Sequence, residues 1–210
     1  MRGGAGGGGS GEGGTNANAS GSGSLAAAIT SHNTNGGPTT IIFESSGYVD
    51  LATADLTITA PLLTIAGETA PAPGFGYQRG GIIVKANDVC IKHITGRRRI
   101  GVDSSTDVCL MQGNSGTIDR LVFDHCTFMW TRDGILDMFT NGTGYVSFTA
   151  SNCIFAEGLS DSNYKCCLWG DGTMEFLAFG CLFANTQQRA PLSRAFKSAI
   201  VNGILYNWTN

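Results

Sequence analysis

The sequence predicts an all-β fold, a parallel β-helix with a short capping helix near its N-terminus, and three observations predict it. The first is an internal repeat. His125-Cys126-Thr127-Phe128, Asn152-Cys153-Ile154-Phe155 and Gly180-Cys181-Leu182-Phe183 share the pattern x-C-x-F, with their cysteines 27 and 28 residues apart. Asn202-Gly203-Ile204-Leu205 follows 22 residues later with Gly in the Cys place. Self-similarity at a period of about 20 to 50 residues is the mark of stacked supersecondary units. The second observation is that strand-like runs are three to five residues long with turns between them. That leaves no room for the crossover helices of a βαβ fold. The third is composition: 31 Gly and only 14% charged residues, against about 25% charged in ordinary soluble domains.

The elements follow in order. Met1 to Ser22 is Gly/Ser/Asn-rich and too poor in apolar surface to offset its ordering entropy, so residues 1–22 read as a disordered or loosely draped segment and 23–210 as one β-helix domain. Ser24 caps the apolar run Leu25-Ala26-Ala27-Ala28-Ile29, the best helix candidate. Strands are expected at Thr40 to Phe43, Tyr48 to Leu51, Leu56 to Ile58, Leu62 to Ile65, Gly81 to Lys85 and Val89 to Ile94. Leu121-Val122-Phe123 and Cys126-Thr127-Phe128 are β-favouring runs joined through the polar corner Asp124-His125. Stacking equivalent positions of successive coils would place Cys126, Cys153 and Cys181 in one internal column and Phe128, Phe155 and Phe183 in another. Buried Cys behaves as a small hydrophobe, so the cysteine column reads as packing.

Composition also excludes function classes. A net charge of -3 gives no electrostatic footprint for nucleic acid, and the one basic cluster, Arg97-Arg98-Arg99, reads as a solvated strand end. No apolar run approaches the ~18 residues of a membrane span. Met1 to Gly14 lacks the apolar core of a cleavable signal. Seven cysteines without a C-x-x-C spacing do not make a metal knuckle, and the odd number does not make a fully paired disulfide framework.

Two features point towards chemistry. Outward side chains on successive coils of a solenoid form a long shallow groove suited to an extended polymer such as a polysaccharide, although the fold alone does not separate catalysis from adhesion. Asp133 and Asp137 stand four residues apart, a spacing that puts both carboxylates on one face of either a strand or a helix. Two convergent carboxylates outline a site for a hard cation.

Several segments together resemble the pectate lyase family, the first polysaccharide lyase family. Gly23-Ser24-Leu25 with Ala28-Ile29 is similar to its G-S-L-R-x-A-L capping helix. Thr39-Thr40-Ile41-Ile42-Phe43 with Ser46-Gly47-Tyr48-Val49-Asp50-Leu51 is similar to T-I-V-F…S-G-T-I-D-L. Leu63-Thr64-Ile65-Ala66-Gly67-Glu68-Thr69-Ala70-Pro71 is similar to the bacterial T-I-A-G-Q-T-A-P, and Val122-Phe123-Asp124-His125-Cys126 to V-W-I-D-H-C with Phe for Trp. The resemblance covers roughly residues 23–210.

It implies a right-handed β-helix and a calcium-dependent lyase that cleaves polygalacturonate by β-elimination. Asp133 and Asp137, in D-G-I-L-D, fall where members have a calcium-binding acid-x-x-x-Asp pair. Asp107 falls on the second acid of an upstream D-x-D element whose first acid is Ser105 here. Lys165 stands in the place of a substrate-binding Lys. Arg189-Ala190-Pro191-Leu192-Ser193-Arg194 matches R-x-P-x-x-R, which implies Arg189 as the catalytic base and Arg194 as a substrate-binding residue. Calcium would be the cofactor, an acidic polysaccharide the partner, and the protein a secreted monomer. The alternative is a non-catalytic carbohydrate-binding or adhesin β-helix, favoured by Ser105 in place of an acid. A galacturonan hydrolase or esterase on a similar helix is disfavoured by the R-x-P-x-x-R element. Members continue for further coils after the segment matched by Ile204-Leu205-Tyr206-Asn207-Trp208. The resemblance therefore also implies a chain lacking C-terminal coils, with lower stability and solubility than a full-length member.

Overall fold

In the computed structural model, the residues described are 10–98, 107–113, 116–131, 133–140, 144–158, 165–170 and 173–208. Among them the chain coils into a parallel β-helix of three sheets, with eight, seven and six strands. Every strand pair is parallel, and each sheet gains one strand per coil. A coil runs from a strand of the first sheet, such as Thr117–Asp124, round a corner into the second, Thr127–Met129, and through a loop into the third, Leu136–Phe139. A further loop returns it to the first sheet, Tyr145–Ser151. The stacking register pairs Thr117–Asp124 with Tyr145–Ser151, Thr127–Met129 with Ile154–Ala156, and Cys109–Gln112 with Leu136–Phe139.

From the third coil onward the corner between first and second sheets turns on one residue with left-handed backbone: His93 (φ 51°), His125 (φ 52°), Asn152 (φ 54°), Gly180 (φ 64°) and Asn202 (φ 53°). This is the first position of the x-C-x-F repeat. Asn and His tolerate the left-handed region better than most side chains, and Gly adopts it without strain. The expected strand Val89 to Ile94 is therefore two strands, Val89–Lys92 and Ile94–Arg97, broken at His93.

In many strands alternate residues are buried, as along Tyr145–Ser151, whereas Lys197–Val201 and Ile204–Trp208 of the last coil are exposed throughout. Cys126, Cys153 and Cys181 form the expected buried column. Each thiol lies against a carbonyl of an earlier strand, Ile91 at 3.3 Å, Phe123 at 3.4 Å and Ala150 at 3.4 Å. All seven cysteines are free thiols. Phe128, Phe155 and Phe183 stack with centroids 6.3 and 5.3 Å apart, and Leu205 takes the next place through its pairing with Phe183. One coil earlier that column holds Gly96, because the Tyr77 ring fills the space: a Cβ on Gly96 would lie 2.6 Å from it. Trp169, fully buried, meets the edges or faces of Phe148, Phe155, Phe176 and Phe183 and donates its indole N–H to the Leu136 carbonyl at 2.8 Å. Aromatic contacts of this kind contribute about 0.5–1.5 kcal/mol each beyond area burial.

The helix expected at Leu25 extends over Leu25–Asn35 and closes the N-terminal end. Ser24 Oγ accepts the Ala27 N–H at 3.1 Å, and Leu25, Ala28, Ile29 and His32 face the first coil. The reading of residues 1–22 as unstructured does not hold for Ser10–Gly14, which pairs in parallel with Thr39–Phe43. Backbone hydrogen bonds need no apolar side chain, and Gly14 fits where a Cβ would meet the Phe43 ring at 2.9 Å. Residues 1–9 lie outside the described residues. Among the described residues no helix is long and apolar enough to cross a membrane.

Candidate functional site

The third sheet carries the candidate site on its outer face. Its register places Leu110 beside Asp137, and the pairing of Met138 with Trp169 and of Leu168 with Leu192 continues the outward column Leu110, Asp137, Leu168, Leu192. Asp107, Asp133, Lys165 and Arg189 come from the chain entering this sheet in four successive coils. Residues roughly one coil apart in sequence are thereby superposed.

Asp107, Asp133, Asp137 and Arg189 line one pocket of about 270 Å³ together with the apolar Leu110, Phe139 and Leu168. Lys165 joins them through its ammonium, 2.9 Å from Asp133 Oδ1. Arg189 Nη1 lies 3.2 Å from Asp137 Oδ2, while Asp137 Oδ1 accepts the Leu168 N–H at 2.7 Å. Asp107 Oδ1 accepts the Gly134 N–H at 2.9 Å. Gly134 is required by its neighbour: a Cβ there would collide with the Asp137 carboxylate. Arg189 has left-handed backbone (φ 60°), a conformation that costs an L-residue roughly 1–2 kcal/mol.

With all three carboxylates ionised, three negative charges face the two cations Lys165 and Arg189. Burial raises the pKa of Asp107 to about 8, reinforced by the charges of Asp137 and Asp133 and opposed by the Gly134 N–H and Arg98. Asp137 is raised to about 7, again by burial, against the lowering effects of the Leu168 N–H and Arg189. Desolvated carboxylates lining one pocket are what a bound hard cation stabilises, and three carboxylate donors fit calcium by type and charge, although their oxygens as they stand are not all within 4.8 Å of one another. Asp133 and Asp137 are each turned onto a cationic side chain, so a metal ion would compete with Lys165 and Arg189 for them.

Five of the six residues singled out in the sequence therefore converge. The sixth, Arg194, stands beyond Leu192 on the same sheet, exposed, with its N–H on the Trp169 carbonyl at 3.0 Å, and does not line the pocket. Ser105 lies outside the described residues. The basic cluster is not a solvated strand end. Arg98 is 4% exposed and donates to the Asp107 carbonyl at 2.6 Å and to Asp55 at 3.3 Å, and Arg97 lies between the rings of Tyr48 and Trp130. Arg99 is outside the described residues. Sequence reasoning also missed Phe139, 43% exposed on the groove floor; the signal for it is its position two residues after Asp137, on the same strand face. A larger trough of about 490 Å³ on the first sheet, lined by Arg120, Ser147, Thr149, Glu175 and Lys197 among others, is open and gathers no comparable set of acids and bases.

Compared with models of protein families and with curated proteins, the chain matches none.

Proposed function

We propose that the protein is a calcium-dependent polysaccharide lyase that cleaves polygalacturonate by β-elimination. The observation that carries this reading is the convergence of Asp107, Asp133, Asp137, Lys165 and Arg189 on one groove floor of a stacked parallel sheet. The reaction removes the proton at C5, forms the C4–C5 double bond and breaks the C4–O bond to the departing sugar. The difficulty lies in the first event, because the carboxylate next to C5 opposes a developing carbanion. Calcium bound by Asp107, Asp133 and Asp137 would neutralise that carboxylate. Lys165 would add positive charge where enolate character develops, and Arg194, beyond Leu192 and outside the pocket, would meet a neighbouring uronate. Arg189 would take the C5 proton. To do so its guanidinium must first leave Asp137 and lose its own proton, which an ion pair opposes. Competition by calcium for Asp137 would release it. A polymer of this kind lies outside cells, so secretion belongs to the same proposal.

A second reading, a carbohydrate-binding β-helix without turnover, is favoured by the same ion pairs, which leave Arg189 and Lys165 neutralised, and by the apolar floor of Leu110, Phe139 and Leu168. The experiment that separates the two is ultraviolet absorbance of the unsaturated product from polygalacturonate with calcium, with chelator, and with Arg189→Ala. A calcium-dependent signal lost in the variant supports the lyase. Binding of oligogalacturonate by calorimetry without any such signal supports the binding protein.

A further inference from the structure

His93, Asp124 and His125 occupy the corner between the first and second sheets, and none of them lines the acid-rich pocket. The two histidines hold the same corner position in successive coils, with nearly equal left-handed backbones. Their rings stack with centroids 4.7 Å apart and planes 9° from parallel. That separation is the spacing of neighbouring strands in a sheet, so coil register sets the pair. Asp124 precedes the second corner: its Oδ2 lies 3.0 Å from His125 Nδ1 and its Oδ1 accepts the Ser151 hydroxyl at 2.6 Å. A ligand atom of each of the three residues lies within 4.8 Å of the other two. Both imidazoles are exposed and Asp124 is half-buried.

We propose that this corner is a surface site for a borderline divalent cation, of the class of zinc, copper(II) or nickel, separate from the calcium pocket. Two imidazole nitrogens and a carboxylate oxygen are donors such ions prefer, whereas calcium and magnesium take all-oxygen shells. Ligands at about 2.0–2.1 Å from a tetrahedral ion sit about 3.3 Å from one another. Turning the two exposed imidazoles out of their stack about the side-chain bonds would bring them to that separation from Asp124. The Ser151 hydroxyl on Asp124 is the outer hydrogen bond that orients a ligating carboxylate. Lys92, in register with Asp124, has its ammonium 3.2 Å from Glu68 and so is engaged elsewhere. In the following coils the corner residue is Asn152, Gly180 or Asn202, none of which offers an imidazole, so the site belongs to these two coils.

The test is calorimetric titration of the full chain with zinc or nickel chloride alone, in a non-coordinating buffer, for wild type, His93→Asn and His125→Asn. Asn already fills this corner at Asn152 and Asn202, so the left-handed backbone is kept, and the melting temperature in chelator checks the fold. One ion per chain is expected, with affinity at least tenfold weaker in each variant and the calcium isotherm unchanged. No binding by wild type, or binding undiminished in either variant, overturns the site. The outcome is independent of whether the protein cleaves polygalacturonate, since no turnover is read.

Discussion

Arg189 and Asp137 form an ion pair at 3.2 Å in which the carboxylate is held on its other oxygen by the Leu168 N–H. The candidate base is thus bonded to a candidate metal ligand. Removing it should move two observables in opposite directions. Arg189→Ala should abolish elimination while binding calcium several-fold more tightly at pH 8.5, because a competing cation has gone. Calorimetry beside the absorbance assay checks this; weaker calcium binding in the variant would contradict the competition.

Burial raises Asp107 to about 8 and Asp137 to about 7 from an ordinary value of 3.8. The folded state then binds protons more tightly than the unfolded chain. Stability from this pair is fully present below pH 3.8 and is lost as pH rises through 7 to 8. The metal-free protein should therefore melt at lower temperature at pH 9 than at pH 5, and Asp107→Asn should flatten that slope. Calcium affinity should climb over the same interval, because its ligands must be deprotonated. A melting temperature independent of pH between 5 and 9 in chelator, with wild type and Asp107→Asn alike, would count against the buried charges.

Gly134 packs against the Asp137 carboxylate with no space for a methyl group. Gly134→Ala should displace Asp137, weakening calcium binding at least tenfold and costing roughly 1–3 kcal/mol of stability. Gly116→Ala, where a Cβ would meet nothing within 4 Å, is the control and should be silent in both urea unfolding and calcium titration.

Phe155 sits mid-column between Phe128 and Phe183 and also touches Trp169. Phe155→Ala should cost about 3–5 kcal/mol in urea unfolding. Cys153→Ala removes one small buried atom from the adjacent column and should cost about 1 kcal/mol. Equal losses in the two variants would mean that the columns do not pack as separate ladders.

Phe139 offers an exposed ring two residues along the strand from Asp137. A sugar ring lying in the groove would cover it. Phe139→Ala should weaken oligogalacturonate binding by three- to tenfold with the turnover number nearly kept, as expected for loss of uniform binding. An unchanged KM would place the substrate elsewhere on the sheet.

The part of this fold legible in the chain alone is its periodicity. The repeat at Cys126, Cys153 and Cys181, the short alternating strands and the Ser24 cap specified coils, their inward faces and the helix that closes them, because alternation and capping are local and survive without knowledge of neighbours. Asp133 and Asp137 do line one pocket, but not as two residues of one strand face: Asp133 lies in the loop before Leu136–Phe139. Which charge meets which follows from the stacking of the coils and not from local pattern. Arg98 turns inward to the Asp107 carbonyl, Lys165 lands on Asp133, Arg189 on Asp137, and His93 stacks on His125. These partners lie 9, 32, 52 and 32 residues apart. Their meeting depends on how coils with loops of unequal length superpose. Even Ser10–Gly14, which has no side-chain signal, becomes a strand because the edge of Thr39–Phe43 supplies hydrogen-bond partners that the sequence of the segment does not contain.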